Sequence, residues 1–202
     1  VEHVPPASLR TETAADGTTV DADPDGPLVA LAFKTVADPH VGRVTYFRVF
    51  SGSLKSSSHI RNTTRETDER IGQVFYLHGK DHEPADYIGT GDIGGVSKLG
   101  SVATGDTLGD EQSTLVLDPV HYPEPTFIAA VHPQTKTDLD KLSAALNRMH
   151  EEDPSLIVFR NAETGETLVG GLGEPHVQIA LDRMTRRSGV HIDQGLPRVA
   201  YR

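Results

Sequence analysis

The sequence predicts a β-barrel domain followed by an α+β domain of the split β-α-β, ferredoxin-like kind. Two observations carry this. From Leu28 to about Leu117, short runs alternate apolar with polar residues and are separated by turn residues, the pattern of a closed barrel or sandwich. After Asp118-Pro119 the period changes, and strand-like and helix-like runs follow in the order β-α-β-β-α-β.

The barrel strands are read in "LVALAFKTV", "RVTYFRVFSG", "SHIRNTT", "RIGQVFYLHG" and "DYIGTGDIGGV", with turns at Asp38-Pro39, Ser51-Gly52, His78-Gly79 and Gly105-Asp106. In the second domain "TFIAAVHP" is a strand. "KTDLDKLSAALNRMHEED" is a helix with Leu139, Leu142, Leu146 and Met149 at helical spacing, and Thr137 is read as its cap. "SLIVFR" and "ETLVGGL" are strands joined by a turn at Ala162–Gly165. "PHVQIALDRMTRRS" is a second helix, with Val177, Leu181 and Met184 on one stripe and Gly189 closing it. "VHID" is the last strand. The domains expected are 1–26, a linker or loose arm; 27–118, the barrel; 119–125, a Pro-flanked linker; and 126–202, the α+β domain.

Composition bounds the chemistry. With 36% hydrophobic residues, the 202-residue chain has enough apolar content to fold. It has no Cys, which removes disulfides and thiolate metal sites. No apolar run approaches the roughly 20 residues that span a bilayer, and no signal peptide is visible, so a cytoplasmic protein without membrane partners is expected. Net charge is −10, of which residues 1–26 hold −5, so the remainder is only mildly acidic and leaves room for basic patches. The first residue, Val1, suggests a trimmed chain.

Several motifs invite a chemical reading. Gly89, Gly91 and Gly94 in "GTGDIG" match the dinucleotide pattern, but no helical periodicity follows them, so they are read as barrel glycines. Gly95 to Gly100 lacks the Lys-Ser/Thr of a phosphate loop. His78 and His82 are four apart in a turn region and are read as solvated, not as metal ligands. Glu151-Glu152-Asp153 ends the first long helix, where acidic charge opposes the helix dipole. Arg183, Arg186 and Arg187 share one face of the second helix and suit a phosphate or a carboxylate-rich partner. In "GGLGEPHVQIALDRM", Pro175 fits the first helical position and Glu174 its cap. His176 falls in the first turn, and no nucleophile accompanies the pair.

These motifs, in their order, resemble the elongation factor G family, the ribosomal translocation GTPases. The segments that carry the resemblance are "LVALAFKTVADPHVGRVTYFRVFSGSLKSSS", "ERIGQVFYLHGKDHEP", "TGDIGGVSKLGSVATGDTL", "PQTKTDLDKLSAALNRMHEEDPSLIV", "ETGETLVGGLGEPHVQIALDRMTRR" and "GLPRVAYR", together covering about 27–202. The resemblance implies the second and third domains of a divergent member, without the GTPase domain. It implies a barrel that contacts small-subunit RNA and protein, and a third domain that couples nucleotide state to the ribosome beside the fusidic acid pocket. The positions implied for that surface are Asp153, Ser155, Gly173, Glu174, His176, Arg183 and Arg187. The chain departs from the family's pattern in Ser155 for the usual Thr and in Leu172-Gly-Glu-Pro-His-Val-Gln178, which gains Pro175 and loses a carboxylate at Gln178. It departs also in "YLHGKD".

The expectation is a fragment that is not itself an enzyme, because it has no phosphate loop, and that has no catalytic, nucleotide-binding or metal site. GTP and Mg are expected only for the missing domain. Alternatives from other classes are a ribosome-protection factor similar to tetracycline-resistance proteins and an RNA-binding module with no GTPase.

Overall fold

The computed structural model describes residues 11–38, 41–79 and 81–199. The chain divides after Val120 into two compact units.

The first unit is built of antiparallel strands: β1 (Glu12–Thr13), β2 (Thr19–Val20), β3 (Val29–Asp38), β4 (Gly42–Ser51), β5 (Ser53–Lys55), β6 (His59–Asn62), β7 (Thr67–Arg70), β8 (Val74–His78), β9 (Asp81–Ala85), β10 (Tyr87–Gly89), β11 (Ile93–Ser97) and β12 (Thr107–Gly109). Eight of them form one sheet in the order β7-β6-β12-β3-β4-β11-β8-β9, while β5 pairs with β10 and β1 with β2. The long β3–β4 hairpin is bulged between Val29 and Ala30 and between Ala32 and Lys34, and bulges bend and twist a ladder. Beyond Thr45, β4 alternates strictly: Phe47, Val49 and Ser51 are buried, and Tyr46, Arg48 and Phe50 face outward. One apolar cluster takes Ala30 and Ala32 from β3, Phe47 from β4, Leu54 from β5, Ile60 from β6, Ile88 from β10, Val96 from β11 and Leu108 from β12. Strands of the eight-stranded sheet and of the β5–β10 pair share this one core, an arrangement that fits a barrel.

The glycines of "GTGDIGG" serve this packing. A Cβ on Gly94 would strike the Ile88 side chain and the Phe47 ring, and one on Gly95 would strike the Phe75 ring of the neighbouring strand. His78 and His82 lie in strands rather than in a loop, which corrects the sequence expectation. Nε2 of His78 lies 3.1 Å from a carboxylate oxygen of Glu83. His82 stacks on Phe75 with centroids 4.2 Å apart. Both histidines therefore have partners within the sheet. Pro84 interrupts β9, which is an edge strand, where a missing N–H costs no ladder bond.

Residues 11–26 differ from the loose arm expected. They carry the β1–β2 hairpin, turned at Asp16–Gly17, where the Asp16 carboxylate accepts from the Thr18 amide. Ala14 and Val20 are buried, Ala14 bridges to Leu117, and Val20 clusters with Val29 and Leu117. Two well-placed apolar residues suffice to seat a segment whose composition is otherwise acidic. Residues 1–10 of the expected arm lie outside the described residues.

The second unit contains β13 (Phe127–Pro133), α1 (Lys136–Glu152), β14 (Ile157–Arg160), β15 (Thr167–Gly171), α2 (Glu174–Ser188) and β16 (Ile192–Gly195). Its sheet order is β14-β15-β13-β16, all antiparallel. Both helices bury one stripe against the sheet face that presents Ala129, Val131 and Val169. The α1 stripe is Asp138, Leu142, Ala145, Leu146 and Met149; Leu139, expected in it, stands at its margin and is exposed. The cap of α1 is Thr135, not Thr137. Its hydroxyl accepts from the Asp138 amide, and Asp138 in turn takes the Thr135 hydroxyl and the His191 amide. The buried Asp138 carboxylate thus joins the start of α1 to the entry of β16. Gly189, at φ 66°, closes α2 in the left-handed conformation.

Replacing Gly95 with Ala is expected to lower the stability of the first unit by about 1–3 kcal/mol, the usual cost of overpacking. Gly72→Ala, where a Cβ meets nothing within 4 Å, is the control expected to change little. Urea unfolding midpoints of the two variants decide it.

Candidate functional site

The residues singled out at the end of α1 and the start of α2 divide into two groups. Asp153, Ser155 and His176 come together. Asp153 caps α1 in extended conformation, and its amide closes the last turn on the Met149 carbonyl. One carboxylate oxygen accepts from the Ser155 hydroxyl and, at 3.1 Å, from the Ser155 amide. The other lies 3.0 Å from Nε2 of His176. The opposite ring nitrogen, Nδ1, accepts from the Leu172 amide at 3.2 Å. An Nδ1 that accepts leaves the ring proton on Nε2, so neutral His176 donates to Asp153. Burial acts to raise the Asp153 pKa. The Ser155 hydroxyl, His176 and the Ser155 amide outweigh it and hold the carboxyl below the usual carboxylate range. Tyr122 stands near the same charge: burial and then Asp153 push its phenol up.

This contact also forms the entry to α2. The cap is Gly173, with no side-chain hydrogen bond, so Glu174 is the first helical residue and Pro175 the second, one position later than expected. Pro remains compatible there because that amide has no helical partner. His176, three residues after the cap, reaches back to the Leu172 amide, much as a capping-box side chain does. Glu174 is exposed in the first turn, where a carboxylate suits the dipole. Gly171 permits the approach. A Cβ on it would fall 2.8 Å from Val177 Cγ2 and 3.1 Å from His176 Nδ1. Gly173, in extended backbone, has only Pro175 near it, at 3.8 Å.

The arginine face splits as well. Arg187 places Nη1 at 2.8 Å from both oxygens of Glu152, which provides the acidic end of α1 with a counter-charge from α2. The guanidinium groups of Arg183 and Arg186 are exposed and make no hydrogen bond or ion pair among the described residues. Two further partners had no signal in sequence spacing: Glu152 and Arg187 are 35 residues apart, and the Leu172 amide is a backbone group. Gly171 was legible only as one of several strand-end glycines.

Chemically this is a joint. It lacks a nucleophile addressed by a base, since Ser155 donates to Asp153 and not to His176. Among the described residues no group of three or more His, Cys, Asp or Glu could hold a metal ion. No helix among them is long and apolar enough to cross a membrane.

Comparison with known proteins agrees with the architecture. A family model described as Elongation factor G domain 2 matches residues 27–111, and one described as Elongation Factor G, domain III matches residues 122–195. These place the two units among the domains of translation elongation factors. A curated relative, Elongation factor G of Petrotoga mobilis (strain DSM 10674 / SJ95), is 43% identical over 209 residues that cover 100% of this chain and 30% of the relative. A crystal structure of a protein from Thermus thermophilus superposes with a TM-score of 0.74 at 32% identity, over 87% of this chain and 26% of that one. The chain belongs to the elongation factor G family, and it spans about 30% of the length of the curated relative it matches.

Two outcomes are expected. Gly171→Ala destabilises the second unit by about 1–3 kcal/mol through overpacking, whereas Gly173→Ser is neutral or stabilising by a few tenths of a kcal/mol through a new cap; thermal unfolding separates the two. Because the Asp153 pKa is depressed on folding, its contribution is present above the unfolded-state value and is lost as pH falls through the lower folded value. Stability of the second unit is therefore expected to hold from neutrality to about pH 5 and to decline below about pH 4. Asp153→Asn should lower stability at pH 7 and flatten that acid limb, as read from unfolding midpoints across pH.

Proposed function

We propose that these two units are the ribosome-docking barrel and the coupling domain of a cytoplasmic translational GTPase, acting in elongation or recycling. Support for the barrel comes from a core shared by strands of two sheets, and for the ferredoxin-like label from the strand order β14-β15-β13-β16 with both helices on one face. Family membership supports the ribosome and a GTPase domain as partners. GTP and Mg are assigned to that GTPase domain, because residues 1–202 contain no G-x-x-x-x-G-K-[ST] run.

The observation that carries the coupling role is the doubly tied pair of helices. Asp153–His176 and Glu152–Arg187 fix α1 to α2, while Arg183 is left exposed on α2 between His176 and Arg187 in sequence. A force or displacement applied at Arg183 would reach both helices as one body. In this reading Asp153, Ser155, Gly173 and His176 build the joint, Arg187 locks it, and Glu174 and Arg183 present charge to the neighbouring domain or to RNA.

In the full-length protein, Arg183→Ala is expected to lower ribosome-stimulated GTP turnover by about 2- to 30-fold, the range of a coupling energy carried by one residue. Turnover in the absence of ribosomes should be unchanged. A stimulated rate equal to that of the parent removes Arg183 from the coupling role.

A further inference from the structure

The second unit has an outer sheet face, away from its helices, and the chain is strapped across it at one carboxylate. Register places Ile157, Gly170 and Ile128 in one row of that face and Phe159, Leu168, Ala130 and Gly195 in the next. Beyond them, Glu166 lies level with His132 and Asp193. Ile128 and Phe159 are exposed, yet Leu168 and Ala130, which look the same way, are buried. The segment 196–199, which follows β16, has no regular structure, and Leu196 and Val199 are 84% and 71% exposed.

Arg198, by contrast, is held. Its amide donates to Oε2 of Glu166 at 3.0 Å, and its Nε lies 3.4 Å from Oε1. The Thr164 hydroxyl donates to Oε2 at 3.1 Å, and Nε2 of His132 lies 3.6 Å from Oε1. The Glu166 side chain is only 4% exposed, although Arg198 is 75% exposed. A buried carboxylate ringed by an amide, a guanidinium, a hydroxyl and an imidazole is costly unless each neighbour serves it. Two of those four come from a segment with no secondary structure of its own.

We propose that Glu166 is the anchor of a strap: it fixes residues 196–199 back across the outer sheet face beside Leu168, and so sets the direction in which the chain leaves the second unit. The β16 strand ends at Gly195, level with Ala130 and Leu168. The chain must reverse over Leu196 and Pro197 to bring Arg198 to Glu166, because Glu166 lies back toward the start of β16. Releasing the anchor frees the segment and uncovers Leu168 and Ala130, which then join the exposed Phe159 and Ile128 on that face. It does not disturb the helical core, which lies on the opposite face of the sheet.

The test uses the 202-residue chain. In Glu166→Gln, tryptic cleavage after Arg198 is expected to accelerate about ten-fold or more, as local opening predicts, with cleavage after Arg183 in α2 unchanged. Acceleration at both sites in parallel means general loosening and overturns the anchor, as does an unchanged rate at Arg198. Arg198→Ala alters an exposed side chain and should leave the fold intact. It is expected to raise amide hydrogen exchange of residues 198 and 199 while amides of β15 keep their protection. Unchanged exchange at residues 198 and 199 in that variant overturns the proposal even if Glu166→Gln does not fold.

Discussion

One carboxylate, that of Asp153, is shared by three segments: the last turn of α1, the start of the chain into β14, and the entry to α2. Desolvation alone would raise the pKa of a carboxylate in that half-buried position, and it is the largest single influence on it. Ser155 and His176 donate to it and outweigh that influence, so its pKa lies below the usual carboxylate value. They in turn are placed by it, so the geometry of the joint and its ionisation state depend on each other. The rest of the second unit is arranged to make this possible. Gly171 lets α2 come down close to the end of β15. Gly173 starts the helix without a side-chain cap, and His176 supplies the acceptor for the Leu172 amide.

The same logic recurs at the other corners of the unit. Asp138 collects the Thr135 hydroxyl and the His191 amide, and Glu166 collects Thr164 and Arg198. Each of these carboxyls is held below its ordinary value: Asp138 first by the Thr135 hydroxyl, Glu166 first by the Arg198 amide. The apolar core makes the helices pack on the sheet. The three carboxylates determine how the connecting segments enter and leave it. In a unit whose proposed task is to pass on movement, joints stiff at the connections matter as much as the core.

Sequence periodicity was enough to read the change from barrel to helical unit, because periods of two and 3.6 are local properties of the chain. The resemblance of long ordered segments then pointed to the family. What could not be read was what depends on distant partners. Thr135 and Thr137 are equally good caps by composition, and only the position of Asp138 in the fold selects the first. Leu139 fits the stripe by spacing but stands at its margin. The acidic arm looked unstructured because a hairpin of two-residue strands, seated by Ala14 and Val20, leaves almost no pattern. Of the candidate site, Asp153 and His176 stood out one by one as helix-end residues, and only the resemblance grouped them with Ser155. The Glu152–Arg187 pair was not legible at all, since no spacing rule links residues 35 apart.

Among the described residues the eight-stranded sheet ends at β9 on one side and at β7 on the other, and the composition of each bears on how the protein behaves in concentrated solution. At one margin β9 reads Asp-His-Glu-Pro-Ala, and Pro84 offers no N–H to an incoming strand. At the other, β7 is four residues long and reads Thr-Asp-Glu-Arg, with its Glu69 carboxylate committed to the Gly100 and Ser101 amides. Neither margin can template another chain along its length: one lacks a donor in the middle of the row, and the other is short and charged. A sheet of eight strands, which would otherwise be a scaffold for end-to-end growth, is thereby kept to the strands of its own chain.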